Sequence, residues 1–157
     1  MMAPNILLTR IDNRLVHGQV GVIWTGALGA NLLVVVDDET AGDPLQQQLM
    51  TMTAEASSVG VRFFTVAHTI QVIHKAAPSQ KIFIVCRTPA VVRQLVEGGV
   101  PIQNVNVGNM HFSPGKKAIT KKVYVDDNDL ENLRYLQQKG IQVFVQDTPG
   151  DVKFSID

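Results

Sequence analysis

The chain has a single cysteine, Cys86. No disulfide can form within the chain, and no cysteine metal cluster is possible. Cys86 closes an apolar run, which reads as a core position rather than a nucleophile. No stretch reaches the roughly 18 uninterrupted apolar residues that a membrane span needs. The start, MMAPNILLTRID, lacks a basic region and meets charge early, so it is not read as a signal peptide. A cytoplasmic location is the default expectation. Net charge is zero, with 14 basic and 14 acidic residues. That argues against broad nucleic-acid binding, which uses a basic face. A local phosphate site is still allowed, because it needs only a few well-placed cations. There is no GxGxxG after the first apolar run, no Walker loop, no GxSxG elbow and no HExxH. Dinucleotide and serine-hydrolase chemistry are thereby set aside. Neither a metal nor a cofactor is expected.

What is present is alternation. Short β-rich runs at Ile6–Thr9, Leu32–Val36, Val61–Val66, Ile82–Val85, Val105–Val107 and Ile141–Val145 are separated by helical patterns. Several runs are almost wholly Val, Ile, Leu and Phe, as strands are when both faces are covered. Val20, Ile23, Trp24 and Ala27 share one helical face. Asp43-Pro44 and Thr88-Pro89 are helix starts, a cap followed by proline at the first helical position. The first predicts a stripe of Leu45, Leu49, Met52 and Ala56. The second predicts Val91, Val92, Leu95 and Val96, stopped at Gly98. Ile70 and Ile73 mark a shorter helix. Asp126 to Asp129 open another, with Leu130, Leu133 and Leu136 behind them and Gly140 closing it. The 157 residues suffice for one domain, 1–157, with a buried core. The expected fold class is α/β: an open, mostly parallel twisted sheet with helices on both faces. Ile119–Val125 is expected as one short edge or antiparallel strand.

In such sheets ligands gather beyond the carboxyl ends of the strands. The loops there are Arg10 to Val20, Asp37 to Asp43, the turn starting at Arg87, and Gly108 to Lys117. The first is the richest. His17 and Gly18 stand at a helix start, where free backbone N–H groups favour anions. Arg10 and Arg14 bracket Asp12, and arginine grips phosphate oxygens with paired hydrogen bonds. Neutral imidazole carries a lone pair able to attack phosphorus. The set suits a transient phosphohistidine. By spacing alone, the same residues also read as a surface ion-pair cluster and a helix cap.

The stretch Arg10-Ile-Asp-Asn-Arg-Leu-Val-His-Gly-Gln-Val20 resembles the active-site motif of the IIB component of mannose-family sugar phosphotransferase systems. The resemblance runs over essentially the whole chain, including Val34–Asp38, Val105–Met110 and Val123–Asp127. The galactosamine or N-acetylgalactosamine branch is favoured over the mannose or sorbose type. The resemblance implies that His17 receives a phosphoryl group from a phosphorylated IIA component and passes it to a sugar entering through the membrane components IIC and IID. Arg14 would join His17 in the reaction, with Arg10, Asp12, Gly18 and Gln19 around the phosphate. Relatives phosphorylate Nδ1, and the IIA donor uses Nε2. Many relatives have Asp where this chain has Asn13. A homodimer is left open.

Other residues receive plainer readings. Asp37 and Asp38 are read first as caps of the next helix, with orientation of an Arg or His, or receipt of the sugar hydroxyl proton, as the other roles. His111 is placed at the periphery of the site, and Arg87 at its edge. His68, His74 and Trp24 are read as structural. Two other function classes make different demands on the chain. A receiver-type signalling module would need its acceptor Asp after the third strand, where this chain has Val66-Ala-His. A non-covalent small-ligand domain would bind without ever being phosphorylated.

Overall fold

The structure is a computed structural model that describes residues 3–156; the side chain of Gln19 lies outside the described residues. Its main sheet has seven strands in the order β3-β2-β4-β1-β5-β8-β9. They are β1 (Asn5–Asp12), β2 (Leu32–Val36), β3 (Gly60–Phe64), β4 (Lys81–Cys86), β5 (Asn104–Asn109), β8 (Gln142–Val145) and β9 (Phe154–Ser155). All neighbours pair in parallel except β8 and β9. The mostly parallel α/β expectation therefore holds. The Ile119–Val125 segment does not join the sheet edge. It belongs to a separate antiparallel hairpin, β6 (Lys117–Thr120) with β7 (Val123–Val125). The antiparallel edge strand is β9, too short and exposed to leave a sequence signal.

Strand alternation divides the core. Leu32, Val34, Val36, Ile82, Ile84 and Cys86 face the helices α3 (Val66–Val72), α4 (Pro89–Glu97) and α5 (Asp127–Gln138). Leu33, Val35, Phe83 and Val85 face the other layer. There α1, a π-helical turn Gln19–Trp24 continuing as Thr25–Leu28, lies beside α2 (Pro44–Glu55). With both faces covered, β2 and β4 are almost wholly apolar, which is why they read so clearly.

Several boundaries move. The strand expected over Val61–Val66 stops at Phe64, because the Thr65 side chain accepts from His68 N–H and starts α3. The first strand runs on to Asp12, so Arg10 and Asp12 are strand residues rather than loop residues. Two helix faces also differ from their stripes. In α1, Val20 and Trp24 are buried but Ile23 and Ala27 are exposed. A π turn holds an extra residue, so positions four apart align and the i+3 position swings outward. In α2 the buried residues are Met50 and Ala54, while Leu45, Leu49, Met52 and Ala56 face outward. Gln47 turns the helix this way: its Nε2 donates to the carbonyls of Thr40 and Ala41.

Candidate functional site

The site grows from β1. Alternate residues Leu8, Arg10 and Asp12 project toward α1. Leu8 joins the core there. Arg10 is fully buried yet fully satisfied. Its guanidinium donates to Asp12 Oδ2 (3.1 Å), Asn106 Oδ1 (2.6 Å), and the carbonyls of Gln146 (3.2 Å) and Asp147 (2.9 Å). It also stacks over Trp24 at 5.2 Å, and Trp24 Nε1 donates to the same Asp147 carbonyl at 2.9 Å. Burial lowers the Arg10 pKa from its ordinary value, and the charge and hydrogen bond of Asp12 oppose that. The space for this guanidinium exists because residue 108 is glycine: a Cβ there would lie 2.0 Å from Arg10 Cζ.

Asp12 is the hub. Its side chain is wholly buried, and three partners converge on it. Oδ2 takes Arg10 and lies 3.0 Å from His17 Nε2, while Oδ1 accepts the Arg14 backbone N–H at 2.9 Å and Arg14 Nε at 3.3 Å. Burial raises its pKa. Bonds from His17 and Arg14 and the charge of Arg10 more than offset this, holding the carboxyl at about 2. It is therefore ionised at neutral pH and fixes the imidazole through one ring nitrogen. A 20% exposed ring remains, with Nδ1 free of Asp12.

The loop between strand and helix is held from below. Leu15 N–H closes a turn onto the Asp12 carbonyl at 3.0 Å, and Leu15 takes φ +56°, a left-handed conformation rare for a branched residue. Its fully buried side chain holds it there among Val16, Val20 and Trp24. Asn13 ties the loop to both neighbours. Its Nδ2 donates to the Arg87 carbonyl at 3.3 Å, its Oδ1 accepts the His111 backbone N–H, and its own carbonyl accepts Arg87 Nη1 at 2.7 Å. At the helix start, Gly21 N–H donates to the His17 carbonyl at 2.8 Å. The amides of Gly18 and Gln19 precede that bond, where helices lack internal acceptors.

One residue sits differently from its sequence-based placement. Arg10 does not reach an incoming phosphate; it is buried beneath Asp12 with its donors on protein oxygens. Asp37 and Asp38 cap helix starts, and Asp37 also orients an arginine. Asp37 accepts Thr40 N–H and Oγ1 and pairs with Arg87, partners that hold its carboxyl below the ordinary range against its burial. Asp38 accepts the first N–H of α3, from Val66, at 2.8 Å. His111 meets the loop through its backbone, and its side chain is exposed. Gln19, whose backbone amide is expected near the phosphate, stands at the start of the helix. Arg14 stays beside His17, with its side chain 37% exposed. Asn106, Gly108, Gln146 and Asp147 were missed. They lie 96 to 137 residues from Arg10 and form no local pattern with it. Among the described residues, no three His, Cys, Asp or Glu side chains are grouped to hold a metal.

The family model described as "PTS system sorbose subfamily IIB component" matches residues 6–157. The chain belongs to this family of phosphotransferase-system IIB components. It is 66% identical over 156 residues, 99% of each protein, to the N-acetylgalactosamine-specific phosphotransferase enzyme IIB component 1 of Escherichia coli K12. A crystal structure of the N-acetylgalactosamine-specific IIB component 1 from Escherichia coli superposes with a TM-score of 0.95, covering 98% of this chain and all of that one. The mannose-specific EIIAB component of Escherichia coli K12 is 36% identical over 160 residues, 99% of this chain but 49% of that longer protein. This IIB chain is thus a phosphotransferase and a phosphoryl carrier of sugar transport, working with IIA, IIC and IID components of the mannose family. The signalling and non-covalent binding alternatives are not favoured. No described helix is long and apolar enough to cross a membrane.

Proposed function

We propose that His17 is the phosphoryl acceptor, that it reacts through Nδ1, and that the sugar served is N-acetylgalactosamine. One observation carries the site assignment: the 3.0 Å contact between His17 Nε2 and Asp12 Oδ2. An ionised Asp12 holds the proton on Nε2 and leaves the lone pair on Nδ1. That lone pair attacks the phosphorus of phospho-IIA in line. A new P–N bond forms, the old P–N bond breaks, and its electron pair leaves with the donor imidazole. The phosphorylated His17 ring keeps its Nε2–H and gains positive charge, which Asp12 stabilises. Arg14 and the Gly18 and Gln19 amides face the phosphoryl oxygens as their charge develops. Arg10 acts through Asp12, and Asn13 with Arg87 and Asp37 holds the loop. The sugar assignment leans on the printed specificity of the 66% identical relative. The chain works as a single cytoplasmic unit that meets IIA and the membrane components in turn.

His17→Gln is expected to abolish label uptake from phospho-IIA while leaving the thermal transition unchanged. Nitrogen-15 spectra of the phosphorylated chain should show Nδ1 modified, and the adduct should be lost in acid and survive alkali. Label entering His17→Gln would remove the assignment, and a phospho-Nε2 spectrum would remove the Asp12 argument.

A further inference from the structure

The buried guanidinium of Arg10 faces two carboxylates. Its Nη2 lies 3.1 Å from Asp12 Oδ2 and 3.8 Å from Asp147 Oδ1. The second contact is an ion pair without a hydrogen bond. Asp147 Oδ1 is buried and accepts no hydrogen bond among the described residues. The other oxygen, Oδ2, takes Lys122 Nζ at 2.5 Å. Lys122 comes from the turn between β6 and β7, and its half-exposed side chain brings a cation in from solvent. The hairpin is fixed to the end of β5. There Met110 N–H donates to the Lys122 carbonyl at 2.9 Å, and Tyr124 N–H donates to the Met110 carbonyl at 3.0 Å.

These contacts make a line of alternating charge. It runs from Lys122 at the surface through Asp147, Arg10 and Asp12 to the imidazole of His17, whose Nε2 is 3.0 Å from Asp12 Oδ2. The first four charges cancel. Two demands meet on Asp12 Oδ2, because the same oxygen faces Arg10 Nη2 and His17 Nε2. A counter-charge on Arg10 weakens its pull on that oxygen and leaves more of the Asp12 charge to the ring. The Arg10 and Asp12 side chains are wholly buried, so little water damps the effect. We propose that Asp147 is a positioning residue of the phosphoryl transfer: through Arg10 it sets how firmly Asp12 holds the His17 ring, and Lys122 tempers it. This rests on the reading of His17 as acceptor. The ring gains positive charge as Nδ1 takes the phosphoryl group. Without the Asp147 charge, Lys122, Arg10 and Asp12 leave one net positive charge beside that ring and disfavour it. Arg14, which shares Asp12 through Oδ1, is untouched by the substitutions that follow.

The test compares Asp147→Asn, Lys122→Gln and Lys121→Gln, the last removing the neighbouring cation of the same turn. Asp147→Asn keeps the backbone carbonyl that takes Arg10 and Trp24. Nitrogen-15 spectra of the unphosphorylated chain at neutral pH read the ratio of charged to neutral His17. Asp147→Asn should lower that ratio about threefold, and Lys122→Gln should raise it by a smaller factor, since a half-exposed charge is screened. Label uptake at saturating phospho-IIA should slow in Asp147→Asn, with the donor concentration for half-maximal rate unchanged. Shifts of one sign in both variants overturn the proposal, because plain loss of support moves the ring the same way in each. An unmoved ring in Asp147→Asn overturns it, as does an unchanged saturating rate. An effect of Lys121→Gln equal to that of Lys122→Gln also overturns it, since that is a bulk charge effect. A wild-type chain that takes no label from phospho-IIA strikes the His17 reading and the role in transfer with it. The ring ratios, measured without phosphate, still decide whether Asp147 acts on the ring.

Discussion

At the residue scale the site turns on one carboxylate. Asp12 sits between the buried cation of Arg10 and the imidazole of His17, and it does different work for each. For Arg10 it is the counter-charge that makes a fully buried guanidinium tolerable. For His17 it holds Nε2, which under the proposed mechanism leaves Nδ1 to react. Its ionisation carries a pH signature. The folded carboxyl titrates near 2 rather than at its ordinary 3.8. Its stabilising contribution, about 2 kcal/mol, is therefore fully present above pH ~4 and lost as pH falls toward ~2. Urea midpoints measured across that window should fall steeply for the natural chain. Asp12→Asn should be less stable at neutral pH and should lack that part of the slope. Parallel curves for the two proteins would mean that Asp12 is not held ionised by its neighbours.

At the element scale the active loop is short, strained and anchored. Leu15 in a left-handed conformation costs on the order of 1–3 kcal/mol, and burial of its side chain offsets the cost. The strain has a use. It turns the chain sharply after Asp12, so that Arg14 emerges half-exposed and the helix starts directly after His17. Leu15→Ala keeps the strained backbone and removes the anchor. It should lose about 2–4 kcal/mol in chemical denaturation, and it should take phosphate from IIA more slowly than the natural chain at temperatures where both are folded. An unchanged transfer rate would show that the loop keeps its shape without Leu15. The helix after the loop teaches the limit of periodicity. Val20, Ile23, Trp24 and Ala27 suit an ordinary α-helix, but the π turn buries only the first and third. α2 offers a second case. Its apolar stripe is genuine, yet Gln47 turns the helix so that the stripe faces outward.

At the scale of the whole molecule, the buried floor of the site is assembled from parts distant in sequence. Arg10 on β1 meets Asn106 on β5, the Gln146 and Asp147 carbonyls after β8, and Trp24 from α1. Its guanidinium lies over Gly108, in space that a Cβ there would fill. Gly108→Ala places a methyl group at that position and should displace Arg10 from its partners. The expected cost is about 3–5 kcal/mol, as for a broken buried charge network, together with a marked fall in phosphoryl uptake. Gly150→Ala, whose added carbon meets nothing within 4 Å, should stay within about 0.5 kcal/mol of the natural chain. Matching melting curves for the two variants would show that the Arg10 seat has slack that the packing does not suggest.

The sequence by itself determined the α/β class, because strands covered on both faces, such as β2 and β4, read as nearly continuous apolar runs, and helices between them begin with caps such as Asp43-Pro44 and Thr88-Pro89. Its eleven-residue motif also carried the family resemblance that the proposed role of His17 rests on, with Asp12 and Arg14 close by in the chain. Only the tertiary structure decided what Arg10 does, which ring nitrogen Asp12 holds, and which face of α2 meets solvent. Each of these depends on atoms brought together from across the sheet. A carbonyl at Asp147 or a missing Cβ at Gly108 leaves no periodic trace in the chain, so its role appears only when the strands are in register.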